Sequence, residues 1–174
     1  PGKVPSNPSE NTVTALPEFA SVHRWIEAQA ERTPDAIAVV FEGRSLTYRE
    51  LNVRANQLAH HLRELGVGTE TLVGLCLERS LEMVVSVLAV LKAGGAYVPL
   101  DPNYPKDRVA YILEDSQTPV VLTQAGVLAR FEIPVSKFKV VLVDKDWKTV
   151  AKQSTASPNG ETMGDSAAYV LYTS

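Results

Sequence analysis

The sequence predicts an α/β fold: layered sheets of mostly parallel strands with helices packed on their faces. Three observations lead there. Amphipathic helical spacings alternate with short apolar runs four times along the 174 residues, the pattern of parallel strands joined by crossover helices. Two helical stretches end on glycines, at Gly66 and at Gly94-Gly95, where a left-handed residue closes the last turn. The apolar run after the second of these meets Pro99, Pro102 and Pro105, which hold the chain extended and outside a sheet ladder.

Residues 1–17 are rich in Pro, Ser, Asn and Thr and have no hydrophobic period, so they are expected to be an extended linker. From Phe19 the spacing turns helical through Val22, Trp25 and Ile26, with Trp25 as a docking anchor, and stops at Thr33-Pro34-Asp35. Ile37 to Phe41 predicts a strand, and Glu42-Gly43-Arg44 the turn of a hairpin whose second arm reaches Leu46. Thr47 and Glu50 have the spacing of a capping box, with Leu46 and Leu51 as its hydrophobic staple. The helix that follows carries Leu51, Ala55, Leu58, Ala59, Leu62 and Leu65 as its core stripe. Thr71 to Leu77 reads as a buried strand, and Ser80 as the cap of a helix along Leu81, Val84, Val85, Leu88 and Leu91. Lys92 in its last turn suits the negative end of the helix dipole. After the strand at Ala96 to Val98 and the proline crossover come a short helix bearing Val109, Ile112 and Leu113, and strands at Val120–Leu122, Lys139–Val143 and Ala168–Tyr172. Gln153 to Asp165 is expected to be a solvated loop.

A content of 45% hydrophobic residues suits a globular core, and a net charge of -3 leaves no basic stripe for nucleic acid. The longest apolar run, Val84 to Leu91, is too short to cross a bilayer, and no charged-then-apolar leader opens the sequence. The lone Cys76 excludes an internal disulfide and fits a reducing, cytoplasmic compartment. In an apolar strand it is expected to be an inert buried hydrophobe. His23, His60 and His61 lack ligand spacing with Cys, Asp or Glu, so no metal site is predicted and all three are expected at the surface or a helix edge. Asp107 and Glu114 belong on the polar face of their helix, and Asp101, between Pro99 and Pro102, is expected to cap or brace the connector. Tyr97 and Tyr104 read as packing residues with hydroxyls at the surface. Thr173 and Ser174 follow a strand directly. On local sequence alone they make a Thr-Ser turn.

Three stretches carry a resemblance. Leu91 to Pro105, LKAGGAYVPLDPNYP, resembles the second core motif of the adenylation domains of nonribosomal peptide synthetases, with Leu91, Lys92, Gly94, Gly95, Tyr97, Pro99, Asp101 and Pro102 at matching positions. Leu46-Thr47-Tyr48-Arg49-Glu50-Leu51 is similar to the first motif and Tyr169 to Ser174 to the opening of the third. The resemblance implies that residues 18–174 are the N-terminal portion of the large core domain of an adenylate-forming (ANL) enzyme. It implies an amino acid, ATP and Mg²⁺ as reactants and cofactors, with an aminoacyl adenylate passed to the phosphopantetheine thiol of a downstream peptidyl carrier domain. Thr173 and Ser174 become ATP phosphate contacts by the same resemblance. The catalytic residues and those that select the amino acid are expected beyond Ser174, so the chain alone is expected to be inactive. Some family members take a small MbtH-like protein near Val84 to Tyr97. An acyl-CoA synthetase-like member is the sibling reading, and a non-catalytic interaction module is the alternative of another class. A dinucleotide-binding domain would need a Gly-x-Gly-x-x-Gly turn, which is absent.

Overall fold

A computed structural model of the chain describes residues 21–131, 137–158 and 166–173. Its centre is a four-stranded parallel sheet of β3 (Leu72–Cys76), β4 (Ala96–Pro99), β5 (Val120–Thr123) and β6 (Lys139–Leu142), in the order β4-β3-β5-β6. Ahead of it lie α1 (Val22–Arg32), an antiparallel hairpin of β1 (Ile37–Phe41) and β2 (Arg44–Thr47), and α2 (Tyr48–Glu64). The crossovers are α3 (Leu81–Ala93), α4 (Lys106–Asp115) and α5 (Ala125–Phe131), and α6 (Trp147–Val150) follows β6. The predicted α/β layering with mostly parallel strands is therefore the fold. The sequence reading lacks α5 and α6, whose seven and four residues are too short for a helical period to register.

Alternate residues of the strands feed two cores. Val73, Leu75, Val120 and Leu122 face α2 and α3, while Cys76, Val98 and Val121 face Val109, Ile112 and Leu113 of α4. The local signals behave as read. Thr47 Oγ1 accepts from the Glu50 amide at 3.2 Å while Glu50 Oε2 accepts from the Thr47 amide at 2.8 Å. The hydrogen bonds from Thr47 hold the Glu50 carboxyl below the usual glutamate range. Leu46 and Leu51 share one core cluster. Ser80 Oγ accepts from the Met83 amide at 3.1 Å. Gly66 and Gly94 take φ of 95° and 97°. At each of these ends the following amide reaches back five residues, Val67 to Leu62 and Gly95 to Val90, both at 3.0 Å.

Two expectations on α1 need correction. Trp25 is 40% exposed, so α1 docks instead through His23, Ala30 and Ile26. His23 is buried rather than at the surface, within 3.1 Å of the Ser21 hydroxyl. Lys92 stands in the last turn of α3 as read, with its side chain buried against Glu27 of α1. The described start of the expected loop, 153–157, is exposed for the most part and is bonded along α2. Residues 1–17, Phe19 and 159–165 lie outside the described residues.

Burial of His23, with Lys92 and Arg24 adding to it against Glu27, lowers its pKa from 6.5 to about 4. The unfolded chain accepts a proton that the folded one resists, so this stability is present above pH 6.5 and lost as the pH falls towards 4. Between pH 7.5 and 5 the expected loss is about 2 kcal/mol, read by denaturant titration at each pH. His23→Phe should flatten that dependence.

Candidate functional site

The carboxyl ends of β3 and β4 open into a cleft of about 890 Å³. Leu77 and Arg79, just after β3, form one wall; Pro99 to Tyr104, from the end of β4 onward, form another; Leu171 and Tyr172 close a third. In open α/β sheets ligands bind outside the carboxyl ends of the strands, near the point where the strand order reverses. Here that reversal falls between β3 and β5, and the chain's own side chains fill it. Thr123 Oγ1 donates to the Cys76 carbonyl at 2.8 Å, the Glu78 amide donates to Gln124 Oε1 at 3.0 Å, and Arg130 pairs with Glu78. The open space is therefore one strand over, beside β4.

Two elements shape it. Asp101 Oδ1 accepts from the backbone amide of Asn103 at 2.8 Å and its side-chain amide at 3.0 Å, which is the bracing read from sequence. The Arg108 guanidinium then sits 4.7 Å over the Tyr104 ring. The second element is the segment 168–173, which joins the sheet beside β4. The Tyr97 amide donates to the Ala168 carbonyl and the Val170 amide to the Tyr97 carbonyl, each at 3.0 Å, and the Tyr97 and Tyr169 rings lie 5.6 Å apart. This makes a single parallel bridge, Tyr97 with Tyr169, rather than the predicted strand over Ala168–Tyr172. The reason is chemical: the next donor on β4 in this direction would be residue 99, and Pro99 has no N–H.

Beyond the bridge, the Tyr172 hydroxyl donates to Asp115 Oδ2 at 2.7 Å, and that bond pushes the phenol up to about 12. Asp115 thus anchors the segment, a role that sequence reasoning missed because 57 residues separate the pair. Thr173 follows and is exposed; Ser174 lies outside the described residues. Tyr97, Pro99, Asp101 and Pro102 of the second motif line the cleft. Leu91, Lys92, Gly94 and Gly95 lie at the opposite end of β4. Leu46, Thr47, Tyr48, Glu50 and Leu51 form the start of α2, a structural role. Tyr97 is half-buried, and burial with the neighbouring Tyr169 raises its phenol. Burial likewise pushes the Cys76 thiol up to about 12, which leaves it protonated and unreactive.

Arg79 is a basic residue on the cleft wall, and Thr173 is exposed directly after the wall residue Tyr172. Among the described residues no group of three or more His, Cys, Asp or Glu side chains is placed to hold a metal ion. No helix of the described residues is long and apolar enough to cross a membrane.

Residues 26–174 match the family described as AMP-binding enzyme. A component of the linear gramicidin synthase of Brevibacillus parabrevis is 50% identical over 153 residues, covering 88% of this chain and 3% of that protein. Tyrocidine synthase 1 of the same organism is 48% identical over 154 residues, covering 88% and 14%. The chain thus spans only a small part of these relatives' length. Among solved structures, the AMPPNP-bound form of the nonribosomal peptide synthetase FmoA3 superposes with a TM-score of 0.84 at 40% identity, covering 95% of this chain and 18% of that one. A Mycobacterium tuberculosis fatty acyl CoA synthetase, at 24% identity and a TM-score of 0.78 over 87% of this chain and 32% of that one, shares the fold.

Proposed function

Because the chain belongs to the family of AMP-binding enzymes, we propose that residues 18–174 form the N-terminal portion of an amino-acid-activating adenylation domain in nonribosomal peptide synthesis, preceded by a linker at 1–17. In the proposed reaction an oxygen of the amino acid carboxylate forms a bond to the α-phosphorus of ATP. The bond from that phosphorus to the bridging oxygen breaks, and pyrophosphate leaves with the electron pair. The sulfur of a phosphopantetheine thiol on a peptidyl carrier domain then forms a bond to the acyl carbon of the resulting adenylate, the thiol gives up its proton, and the bond from that carbon to the phosphate oxygen breaks to release AMP. Magnesium, when bound, would neutralise phosphate charge.

The chain's own contribution is positioning. The observation that supports the reading is the parallel pairing of Tyr169 with Tyr97, after which Leu171 and Tyr172 line the cleft and Thr173 follows in the chain. From there the Thr173 hydroxyl donates to a phosphate oxygen, with Ser174 as its neighbour in that role. The Tyr172–Asp115 bond holds the backbone that presents it. The identity to synthetases that make peptides supports an amino acid over a fatty acid as substrate. The cytoplasm suits the single buried thiol. An MbtH-like protein near Val84 to Tyr97 is a further partner of this reading, and co-purification tests it.

The experiment is exchange of labelled pyrophosphate into ATP, across a panel of amino acids, on this chain and on a longer polypeptide that contains it. Amino-acid-dependent exchange by the longer form alone is the expected result. Exchange with fatty or aryl acids only moves the assignment to the acyl-CoA synthetase side of the family, and silence with every acid turns it towards a binding module. Within an active polypeptide, Thr173→Ala should raise the KM for ATP roughly tenfold, the worth of one hydrogen bond to a charged group.

A further inference from the structure

The segment beside β4 is held near each end by a carboxylate from a different part of the chain. At its start the Ala167 amide donates to Glu70 Oε1 at 3.1 Å. At its end the Tyr172 hydroxyl donates to Asp115 Oδ2 at 2.7 Å. Between them, among the described residues, the backbone bonds to β4 are the two made by Tyr97. Val170 and Tyr172 pack on the cluster that holds Ile112 and Leu113, while Tyr169 and Leu171 are 53% and 61% exposed. With so few attachments, each carboxylate carries a large share of the docking.

Glu70 occupies a position that its own turn does not favour. The Thr71 amide donates to the Gly68 carbonyl at 3.0 Å, so residues 68–71 form a turn with Glu70 in third place, and its φ is 60°. Glycine or asparagine is usual there, because a longer side chain strains the backbone at positive φ. The turn does not need the carboxylate: its other bond runs from the Gly68 amide to Thr71 Oγ1 at 3.1 Å. Among the described residues the bond that the Glu70 carboxylate makes is the one to Ala167. The strain therefore sets an acceptor at the entry of the segment.

Asp115 acts differently, because it binds a side chain rather than backbone. A single bridge specifies register weakly. Sliding the segment by two residues would keep every side chain on its own face and move Thr173 about 6.6 Å along β4. Glu70 would still find a backbone amide. Asp115 would instead meet Val170, which has no hydroxyl, or Ser174, whose hydroxyl ends far short of a tyrosine's. Only the register that sets Tyr172 at Asp115 makes the bond.

We infer that Glu70 and Asp115 are positioning residues for Thr173: Glu70 holds the segment on the edge of β4, and Asp115 fixes its register there. The inference rests on the adenylation reading for its kinetic consequence, since Thr173 is the proposed phosphate contact. It is tested in a longer polypeptide that contains the chain. Glu70→Gly removes the acceptor and the strain together, so the thermal midpoint should not fall. The KM for ATP should nevertheless rise about three- to fivefold at constant kcat, because the competent form is a smaller fraction. Asp115→Ala should raise it by a similar factor. Glu70→Gln and Asp115→Asn, which keep an accepting oxygen, should stay within about twofold of the wild type. Hydrogen exchange read by mass spectrometry should show peptides over 169–172 opening more often in Glu70→Gly and Asp115→Ala, with those over β3 and β5 unchanged. An unmoved KM, a fall in kcat at unchanged KM, equal effects of Asp115→Ala and Asp115→Asn, or unmoved exchange over 169–172 overturns the inference. A wild-type polypeptide that activates no acid refutes the adenylation reading, and the exchange measurement then decides the inference by itself.

Discussion

Glu27→Ala is expected to cost about 3–5 kcal/mol of folding stability, because it strands a buried cation. The Lys92 side chain is 0% exposed and the Glu27 side chain 13%, and the carboxylate joins α1, the end of α3 and Ser157. Burial outweighs the pull of Glu27 and lowers the Lys92 ammonium's pKa, so without its partner that ammonium must shed its proton or unfold the region. The reverse change is milder. Lys92→Met keeps the apolar stem, and Glu27 still has Arg24 at 3.1 Å, the Ser157 hydroxyl and some solvent. About 1–2 kcal/mol is expected, so urea midpoints of the two variants should differ widely with the same slope. Burial pushes the Glu27 carboxyl up, but the bonds from Lys92 and Ser157 more than offset it and hold the group below the usual range. Its stabilisation is therefore present above the ordinary glutamate pKa and lost as the pH falls through the lower folded value. Equal losses in the two variants would contradict this asymmetry.

The second large effect is at the double glycine, where the two positions should behave differently. A Cβ on Gly95 would lie 2.8 Å from the Thr71 carbonyl oxygen and 3.0 Å from Val67 Cγ1. That oxygen accepts from the Ala96 amide at 3.0 Å, the bond that starts the pairing of β4 with β3. The obstacle is backbone at the start of the central strand β3, so Gly95→Ala must displace the strand that lines the cleft, at about 3 kcal/mol or more. Gly94 has a positive φ and its nearest neighbour is 3.5 Å away. Gly94→Ala strains only the backbone, at about 1 kcal/mol. Thermal unfolding of both separates them: Gly95→Ala should lose at least twice the stability of Gly94→Ala, and the opposite order would place the requirement in the φ angle alone.

These residues also mark how far the candidate site is legible in advance. The second motif announces a helix end, a short strand and a braced crossover, and Gly94, Ala96 and Asp101 stand in those roles. It places Tyr97, Pro99 and Pro102 in sequence but not around a cleft, since the opposite walls come from Leu77, Arg79 and Tyr172. The corrections on α1 share one cause. For Trp25 and His23 the sequence offers only the spacing of their own helix, whereas their exposure depends on which face α1 turns to α3. Asn56 and Gln57 do carry a signal, two amides in an apolar run, but the backbone they hold lies 94 and 99 residues on.

The sequence by itself determined the alternation of helices and parallel strands, the capping box at Thr47 and Glu50, the left-handed ends at Gly66 and Gly94, and the family. The caps and helix ends are each written within four or five residues, where helix periodicity, a missing Cβ or a missing N–H acts without a distant partner, and the family is written in three continuous stretches of the chain. Only the tertiary structure decided that the reversal between β3 and β5 is filled and the cleft lies beside β4. It likewise decided that Pro99 limits the last segment to one bridge, and that Glu27 gathers Lys92 and Ser157 from 65 and 130 residues away. Those outcomes follow from which surfaces the crossovers bring together, and a pairing across a hundred residues leaves no local spacing to read.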